Sequence, residues 1–345
     1  MKTLLQYRAS PGFCDQIKAA FADMEPVIVV DEFDGPRFDE AMLTAEVLLH
    51  VLKPVTAEVI ANAPHLKLIQ KLGVGTNTID LVAAKARGIA VCNMPGTNSQ
   101  AVAEMALTLM LSCLRRTIYL DSLTRAGNGW NPDLEVLDSV GEVCGRTVGL
   151  VGFGQSAQRL APVLTALGAK VIYTARSARP DAPYGFRDLE ALLEEADIVS
   201  LHLPLTDETR NLIDAKALSR MKPGGIVINT SRGEIIDETA LEAALRSGHL
   251  RGAGLDVFAK EPAGADNPLL ALDTVVVAPH QAWLTPETLA RSLAVAKENC
   301  RRLAAGEALL HQVVRDVDFF KNAHRLCVRP ASGRTVLGTP ARGLR

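Results

Sequence analysis

Arg232, Glu261 and His280 each fall just past a predicted strand, downstream of the glycine turn Gly152-Phe153-Gly154-Gln155-Ser156-Ala157. Together they offer a grip for a dinucleotide, a cation for a carboxylate and an acid–base pair. The turn follows the apolar run Thr147-Val148-Gly149-Leu150-Val151 and opens a helix-like stretch, the context that a phosphate-binding crossover requires. Glycine lets the backbone turn tightly and approach a pyrophosphate, whose charge then lies against free N–H groups at the helix start. Gly152, Phe153, Gly154, Gln155 and Ser156 are therefore expected to bind a cofactor.

The remaining three residues suit one chemistry. Hydride transfer to a 2-oxo acid leaves an alkoxide-like oxygen that needs a proton, and histidine is the side chain best matched to give it near neutral pH. His280 is the candidate. A carboxylate beside it, Glu261, would stabilise the imidazolium and fix its orientation. Arg232 supplies a planar, permanently charged fork for a substrate carboxylate and can polarise the carbonyl that receives hydride. Backbone N–H groups of Val74 and Gly75 can take the other carboxylate oxygen, since glycine permits close approach to a ligand.

These residues need elements to hold them. Short apolar runs alternate with amphipathic stretches along almost the whole chain, the signature of parallel sheets covered by helices, so the expected class is α/β. Strands are predicted at Thr3 to Tyr7, Val27 to Val30, Val47 to Val51, Leu66 to Gln70 and Ala90 to Cys92, making one five-stranded unit. The apolar stretch Ser99 to Leu114 reads as a buried helix crossing between domains. Six further strands follow, at Thr147 to Val151, Lys170 to Thr174, Ile198 to His202, Ile226 to Thr230, Gly252 to Asp256 and Thr274 to Ala278. Thr285-Pro286-Glu287 then offers an N-cap, a proline at the first helical position and an acid in the first turn of a helix running to about Ala305.

Composition limits the partners. A chain of 345 residues is long enough for two cores, and a net charge of −2 with no block of one sign through its body gives nucleic acid or an acidic membrane no footing. The start has too short an apolar stretch for a secretory signal, and no run is long enough to span a bilayer, so a cytoplasmic location is expected. Six scattered cysteines form no CxxC and no Cys/His pair at zinc spacing, which predicts no disulfide framework and no metal site.

Over roughly positions 1 to 312 the chain resembles the D-2-hydroxyacid dehydrogenases. Leu72-Gly73-Val74-Gly75-Thr76-Asn77-Thr78-Ile79-Asp80 is similar to the family's substrate loop, and Val91 to Asn98 followed by Val102-Ala103-Glu104 to its interdomain hinge. His202-Leu203-Pro204-Leu205-Thr206 resembles the loop beside the cofactor. Ile228 to Gly233, Gly254 to Phe258 with Glu261-Pro262, and Pro279-His280 resemble the segments bearing the catalytic residues. The resemblance implies a Rossmann cofactor domain, residues 99–283, inserted into a flavodoxin-like substrate domain made of residues 1–98 and 284–312. Both would be doubly wound parallel sheets. It also implies that His202, Pro204, Thr230 and Asp256 contact the cofactor, with Asp256 on the nicotinamide side. Asn98 and Trp283 would join Val74, Gly75, Arg232 and His280 around the substrate, and the assembly would be a homodimer.

One departure bears on the cofactor. An NAD site usually places Asp or Glu about 20 residues beyond the glycines, to bond the ribose 2′-OH. Here the strand end reads Tyr173-Thr174-Ala175-Arg176-Ser177-Ala178-Arg179-Pro180, without an acid. Arg176 and Arg179 could meet a 2′-phosphate, with Ser177 adding a hydroxyl, and no carboxylate would repel it. The expectation is NADP(H) in preference, with NAD as the alternative. Similar strand endings fit the family's glyoxylate and hydroxypyruvate reductases. The alternatives are a phosphoglycerate-dehydrogenase-like enzyme using NAD and a nucleotide-sensing binding protein on the same fold, like the family's transcriptional co-repressors. Formate or phosphite oxidation fits less well, because Glu261 beside His280 suits 2-hydroxy acid chemistry. Residues 313–345 are expected to form a mobile basic tail, since from Arg315 onward seven Lys and Arg accompany two acids without helical or strand period.

Overall fold

The computed structural model describes residues 1–314. Five short apolar strands form the first sheet: β1 (Thr3–Gln6), β2 (Ile28–Val30), β3 (Val47–His50), β4 (Leu68–Lys71) and β5 (Ala90–Cys92), in the order β2-β1-β3-β4-β5 and all parallel. Helices cover both faces, so β1, β3, β4 and β5 are buried from end to end. This is the flavodoxin-like strand order.

The second sheet is wound from β6 (Thr147–Val151), β7 (Lys170–Thr174), β8 (Gly185–Phe186), β9 (Ile198–Leu201), β10 (Gly225–Asn229), β11 (Leu250–Leu255) and β12 (Val275–Val277), again all parallel. Its order, β12-β11-β10-β9-β6-β7-β8, is that of a dinucleotide-binding fold with one strand added beyond β11. The chain reverses its winding between β6 and β9. Ligands of such sheets bind at that switch point, beyond the carboxyl ends of the strands.

Two expectations need correction. The second sheet has seven strands rather than six, because the two-residue β8 pairs with β7 through Ile172 and Tyr173. The first sheet is not purely parallel: β13 (Gln312–Val314) runs antiparallel to β5, so the chain stays in the sheet past the predicted start of the tail at 313. The remainder of the predicted tail, 315–345, lies outside the described residues.

The helix Ser99–Arg115 packs on the second sheet, with Ala106, Leu109, Met110 and Cys113 sharing a core with Val148, Leu150 and Ile228. The helix Pro286–Ala305 returns to the first. Its N-cap Thr285 accepts the Thr288 amide at 3.1 Å, and Leu289, Leu293, Ala296 and Cys300 share a core with Leu5, Leu49, Leu68 and Cys92. Trp283, at the crossing, belongs to that same core. Among the described residues no helix is long and apolar enough to cross a membrane, and no three His, Cys, Asp or Glu side chains gather to hold a metal ion.

Candidate active site

The turn after β6 is built around Gly152 at φ +90°, where a Cβ would come within 2.5 Å of the His202 carbonyl oxygen. Only glycine allows β6 and the segment after β9 to approach this closely. Its amide donates to Thr174 O at 3.0 Å, which ties the turn to the end of β7. The helix Gln155–Ala166 starts at Gly154 with no side chain capping it, so the amides of its first turn remain offered to an anion.

The side chains of this turn are committed to the protein. Phe153 is buried and stacked on Tyr173 at 4.2 Å between ring centroids, and Gln155 accepts from Ser99 Oγ at 3.4 Å. His202, the expected cofactor contact, is held by the protein on both ring nitrogens. Its ring lies beneath the turn, Nδ1 against Ser156 Oγ at 3.2 Å and Nε2 against Ser200 Oγ at 2.9 Å, and burial brings its pKa down to about 4. A neutral histidine with both nitrogens engaged props the turn. Pro204, in the loop after β9, accepts from Thr209 Oγ1 at 2.8 Å through its carbonyl.

Arg176, Ser177 and Arg179 are exposed just past β7, and neither arginine forms an ion pair among the described residues. The loop that carries them is fixed: the Arg179 amide donates to the Tyr173 hydroxyl at 2.7 Å. The Gly152 bond to Thr174 O sets this loop beside the glycine turn.

A cleft lies between the carboxyl ends of the two sheets. One side is lined by Lys71, Gly73, Val74, Asn98 and Trp283, the other by Thr230, Arg232, Asp256 and His280. Arg232, just beyond β10, crosses to the first sheet, where its Nε donates to Asn77 Oδ1 at 3.1 Å while Nη1 donates to its own neighbour's carbonyl, Ser231 O, at 2.6 Å. A Cβ at Gly75 would overlap Arg232 Nη2, so the glycine of the loop makes room for the guanidinium. Burial lowers the Arg232 pKa from its ordinary value, with Glu261 and Glu234 opposing. Thr230 Oγ1 is buried with no hydrogen-bond partner among the described residues.

His280 Nδ1 lies 2.6 Å from Glu261 Oε2, and Glu261 Oε1 accepts the Phe258 amide at 3.0 Å. Burial disfavours the Glu261 carboxylate, but the hydrogen bond and charge of His280, the Phe258 amide and Arg232 outweigh it and hold the group below the usual glutamate value. His280 takes a left-handed backbone, φ +55°, rare for a residue with a Cβ. Asp256 imposes it: the carbonyl accepts the His280 amide at 2.7 Å, and the carboxylate accepts those of Gln281 at 2.8 Å and Ala282 at 3.0 Å. Burial pushes the Asp256 carboxyl up despite those two amides. Asp256 thus builds the loop that presents His280, in addition to lining the cleft.

The predicted residues Arg232, Glu261, His280, Val74, Gly75, Asn98, Thr230, Asp256 and Trp283 are brought together. Sequence reasoning missed Asn77, which orients Arg232, although it lies inside the recognised loop, and Lys71, which carried no signal beyond its place at a strand end. Two parallel sheets, a bare helix start at the switch point, and an arginine facing a His–Glu pair define a two-domain α/β protein of the dinucleotide-binding class.

Comparison with known proteins narrows the class. The model of the NAD-binding domain of D-isomer specific 2-hydroxyacid dehydrogenases matches residues 107–282. D-3-phosphoglycerate dehydrogenase of Mycobacterium leprae is 41% identical over 294 residues, 84% of this chain and 55% of that protein, so the chain spans little more than half of that relative's length. Glyoxylate reductase of Aeropyrum pernix is 36% identical over 316 residues, 88% of this chain and 92% of that protein. Among solved structures, the TT0316 protein of Thermus thermophilus is 37% identical with a TM-score of 0.82, covering 91% of this chain and 100% of that one. An NAD complex of the NAD-dependent formate dehydrogenase of Staphylococcus aureus is 27% identical with a TM-score of 0.81, covering 91% of this chain and 99% of that one. The NADPH-dependent glyoxylate/hydroxypyruvate reductase of Sinorhizobium meliloti, with NADP and malonate, is 27% identical with a TM-score of 0.77, covering 91% and 97%. The chain belongs to the D-isomer-specific 2-hydroxyacid dehydrogenase family, a family of NAD(P)-dependent oxidoreductases.

Proposed function

We propose that the protein reduces a small 2-oxo acid, glyoxylate or hydroxypyruvate, to the D-2-hydroxy acid with NADPH. The observation that carries this reading is the His280–Glu261 bond of 2.6 Å, with His280 and Arg232 lining one cleft. Arg232 and the amides of Val74 and Gly75 hold the substrate carboxylate, and Arg232 polarises the keto oxygen. A nicotinamide cofactor, when bound, would supply the hydride for the keto carbon. His280 gives a proton to the oxygen as its negative charge develops, and Glu261 stabilises the charged ring and fixes its orientation. In oxidation the same histidine takes the proton back.

The cofactor would lie along the carboxyl edge of the second sheet, its pyrophosphate on the amides of the Gly152–Ser156 turn, with Thr230 and Asp256 near the nicotinamide. The exposed Arg176 and Arg179, without an ion pair among the described residues, support a 2′-phosphate there. The same reading assigns residues 99–283 to the cofactor domain and 1–98 with 284–312 to the substrate domain, in a cytoplasmic homodimer. Exposed Ile118, Trp130 and Leu134 support a partner subunit.

A second reading, an NAD-dependent enzyme like the phosphoglycerate dehydrogenases, is favoured by the 41% identity to that relative. Steady-state oxidation of NADPH and NADH with glyoxylate and hydroxypyruvate, set beside reduction of NAD by D-3-phosphoglycerate, separates the two. Turnover of the 2-oxo acids with NADPH supports the first. Turnover confined to D-3-phosphoglycerate and NAD supports the second, and cofactor binding without any turnover would make the protein a nucleotide sensor.

A further inference from the structure

Lys71 closes β4 on the wall of the cleft and is only 4% exposed. No carboxylate reaches it among the described residues. Its Nζ donates to the carbonyl of Val51, another wall residue at the end of β3. A buried ammonium facing a neutral carbonyl is costly, because the carbonyl replaces only part of its hydration and none of its counter-charge. The charged neighbour that acts on it is Arg232, of like sign, and burial together with that charge brings Lys71 down to about 7. A ligand oxygen would offset both effects.

The rest of the cleft indicates which oxygen. On the reading above, Arg232 and the loop amides serve the carboxylate, and His280 serves the keto oxygen. Leu52, Leu72, Val102 and Trp283 add apolar wall. The substrate atoms without a partner are those on carbon 3, and Lys71 is the charged donor without a substrate atom. We infer that Lys71 is a specificity-determining residue that donates to an oxygen carried on or attached through carbon 3, so that the cleft favours 2-oxo acids with a hydroxyl or a carboxylate bonded to carbon 3 over pyruvate, whose carbon 3 is a plain methyl, and glyoxylate, which has no carbon 3. This rests on the 2-oxo acid reading.

The test is kcat/KM for glyoxylate, pyruvate, hydroxypyruvate and oxaloacetate, with wild type, Lys71→Met and Lys71→Arg. Hydroxypyruvate or oxaloacetate should exceed pyruvate by about tenfold or more in the wild type, the scale of one charge-assisted hydrogen bond. Lys71→Met should compress that ratio to within a few fold, mainly through KM, and Lys71→Arg should retain most of it. Which of the two oxygen-bearing substrates gains more tells a hydroxyl from an acid. A wild type that takes pyruvate as well as hydroxypyruvate, or a ratio unchanged in Lys71→Met, overturns the inference while leaving 2-oxo acid reduction standing. A wild type that turns over none of the four removes the underlying reading too. Should Lys71→Met fail to fold, a Lys71→Arg enzyme with the ratio lost would also count against it.

Discussion

Glu261 Oε2 accepts from His280 Nδ1 at 2.6 Å, which fixes the ring and leaves its other nitrogen for the cleft that His280 lines. Because Glu261 is held below the usual glutamate value, the carboxylate persists to lower pH than in an unfolded chain. A group depressed in this way adds stability that is present above its unfolded value, about 4.5, and is lost as pH falls through the folded value. The difference in Tm between wild type and Glu261→Gln should therefore shrink as pH falls below about 4.5. Activity should fall less than in a variant without His280. A Tm difference independent of pH across this range would mean that the pair adds nothing as an ion pair.

Gly75 and Arg232 form a second linked pair, since a side chain at 75 would occupy the guanidinium's place. Gly75→Ala should lower kcat/KM by tenfold or more, as should Arg232→Lys, which keeps the charge but loses the fork that bonds Asn77 and Ser231. Both kcat and KM should change, because the arginine is assigned to the keto oxygen as well as the carboxylate. Raised KM with intact kcat would reduce Arg232 to a carboxylate anchor.

On the proposed reading, cofactor choice turns on Arg176 and Arg179. Wild type should prefer NADPH to NADH in kcat/KM, and changing both arginines to Ala should remove most of that preference while NADH use stays nearly level; each lost charged bond is worth about tenfold. Adding Ala175→Asp should push the balance toward NADH, by offering the ribose hydroxyls an acceptor and repelling phosphate. Equal efficiency of the wild type with both cofactors would contradict the clamp.

Buried His202 and His50 make stability depend on pH. Burial brings the first to about 4 and the second to about 3, from 6.5. Between the folded and unfolded values the unfolded chain binds more protons, so stability is complete above about pH 6.5 and declines as pH falls toward 4. At about 1.4 kcal/mol per unit, His202 alone accounts for roughly 3 kcal/mol of that decline. Urea midpoints between pH 7 and 4 should fall accordingly, and more shallowly in His202→Gln. A profile identical in the two proteins would show that His202 is not held neutral.

Local signals were the legible ones. The glycine turn and the Thr285-Pro286 helix start depend on a few neighbouring residues, and both stand where they were read. The edge strands β8 and β13 were not read, because two or three residues carry no period and their existence depends on β7 and β5. Lys71 follows Leu68-Ile69-Gln70 as an ordinary polar end to a strand, and its burial comes from segments far away in sequence. The Arg232–Asn77 bond spans 155 positions, beyond any local pattern. His202, expected to end its strand, lies one residue beyond it, and spacing carries no sign of the two serines that claim its ring.

The central claim is that His280 is the proton donor for 2-oxo acid reduction, and His280→Asn tests it most directly. At saturating substrate kcat for NADPH oxidation should fall by about a hundredfold or more, since positioned acid catalysis is worth roughly 10² to 10⁴, while the Kd for NADPH, measured without substrate, stays near the wild-type value. Near-normal turnover in this variant would contradict the account and assign the proton to another group.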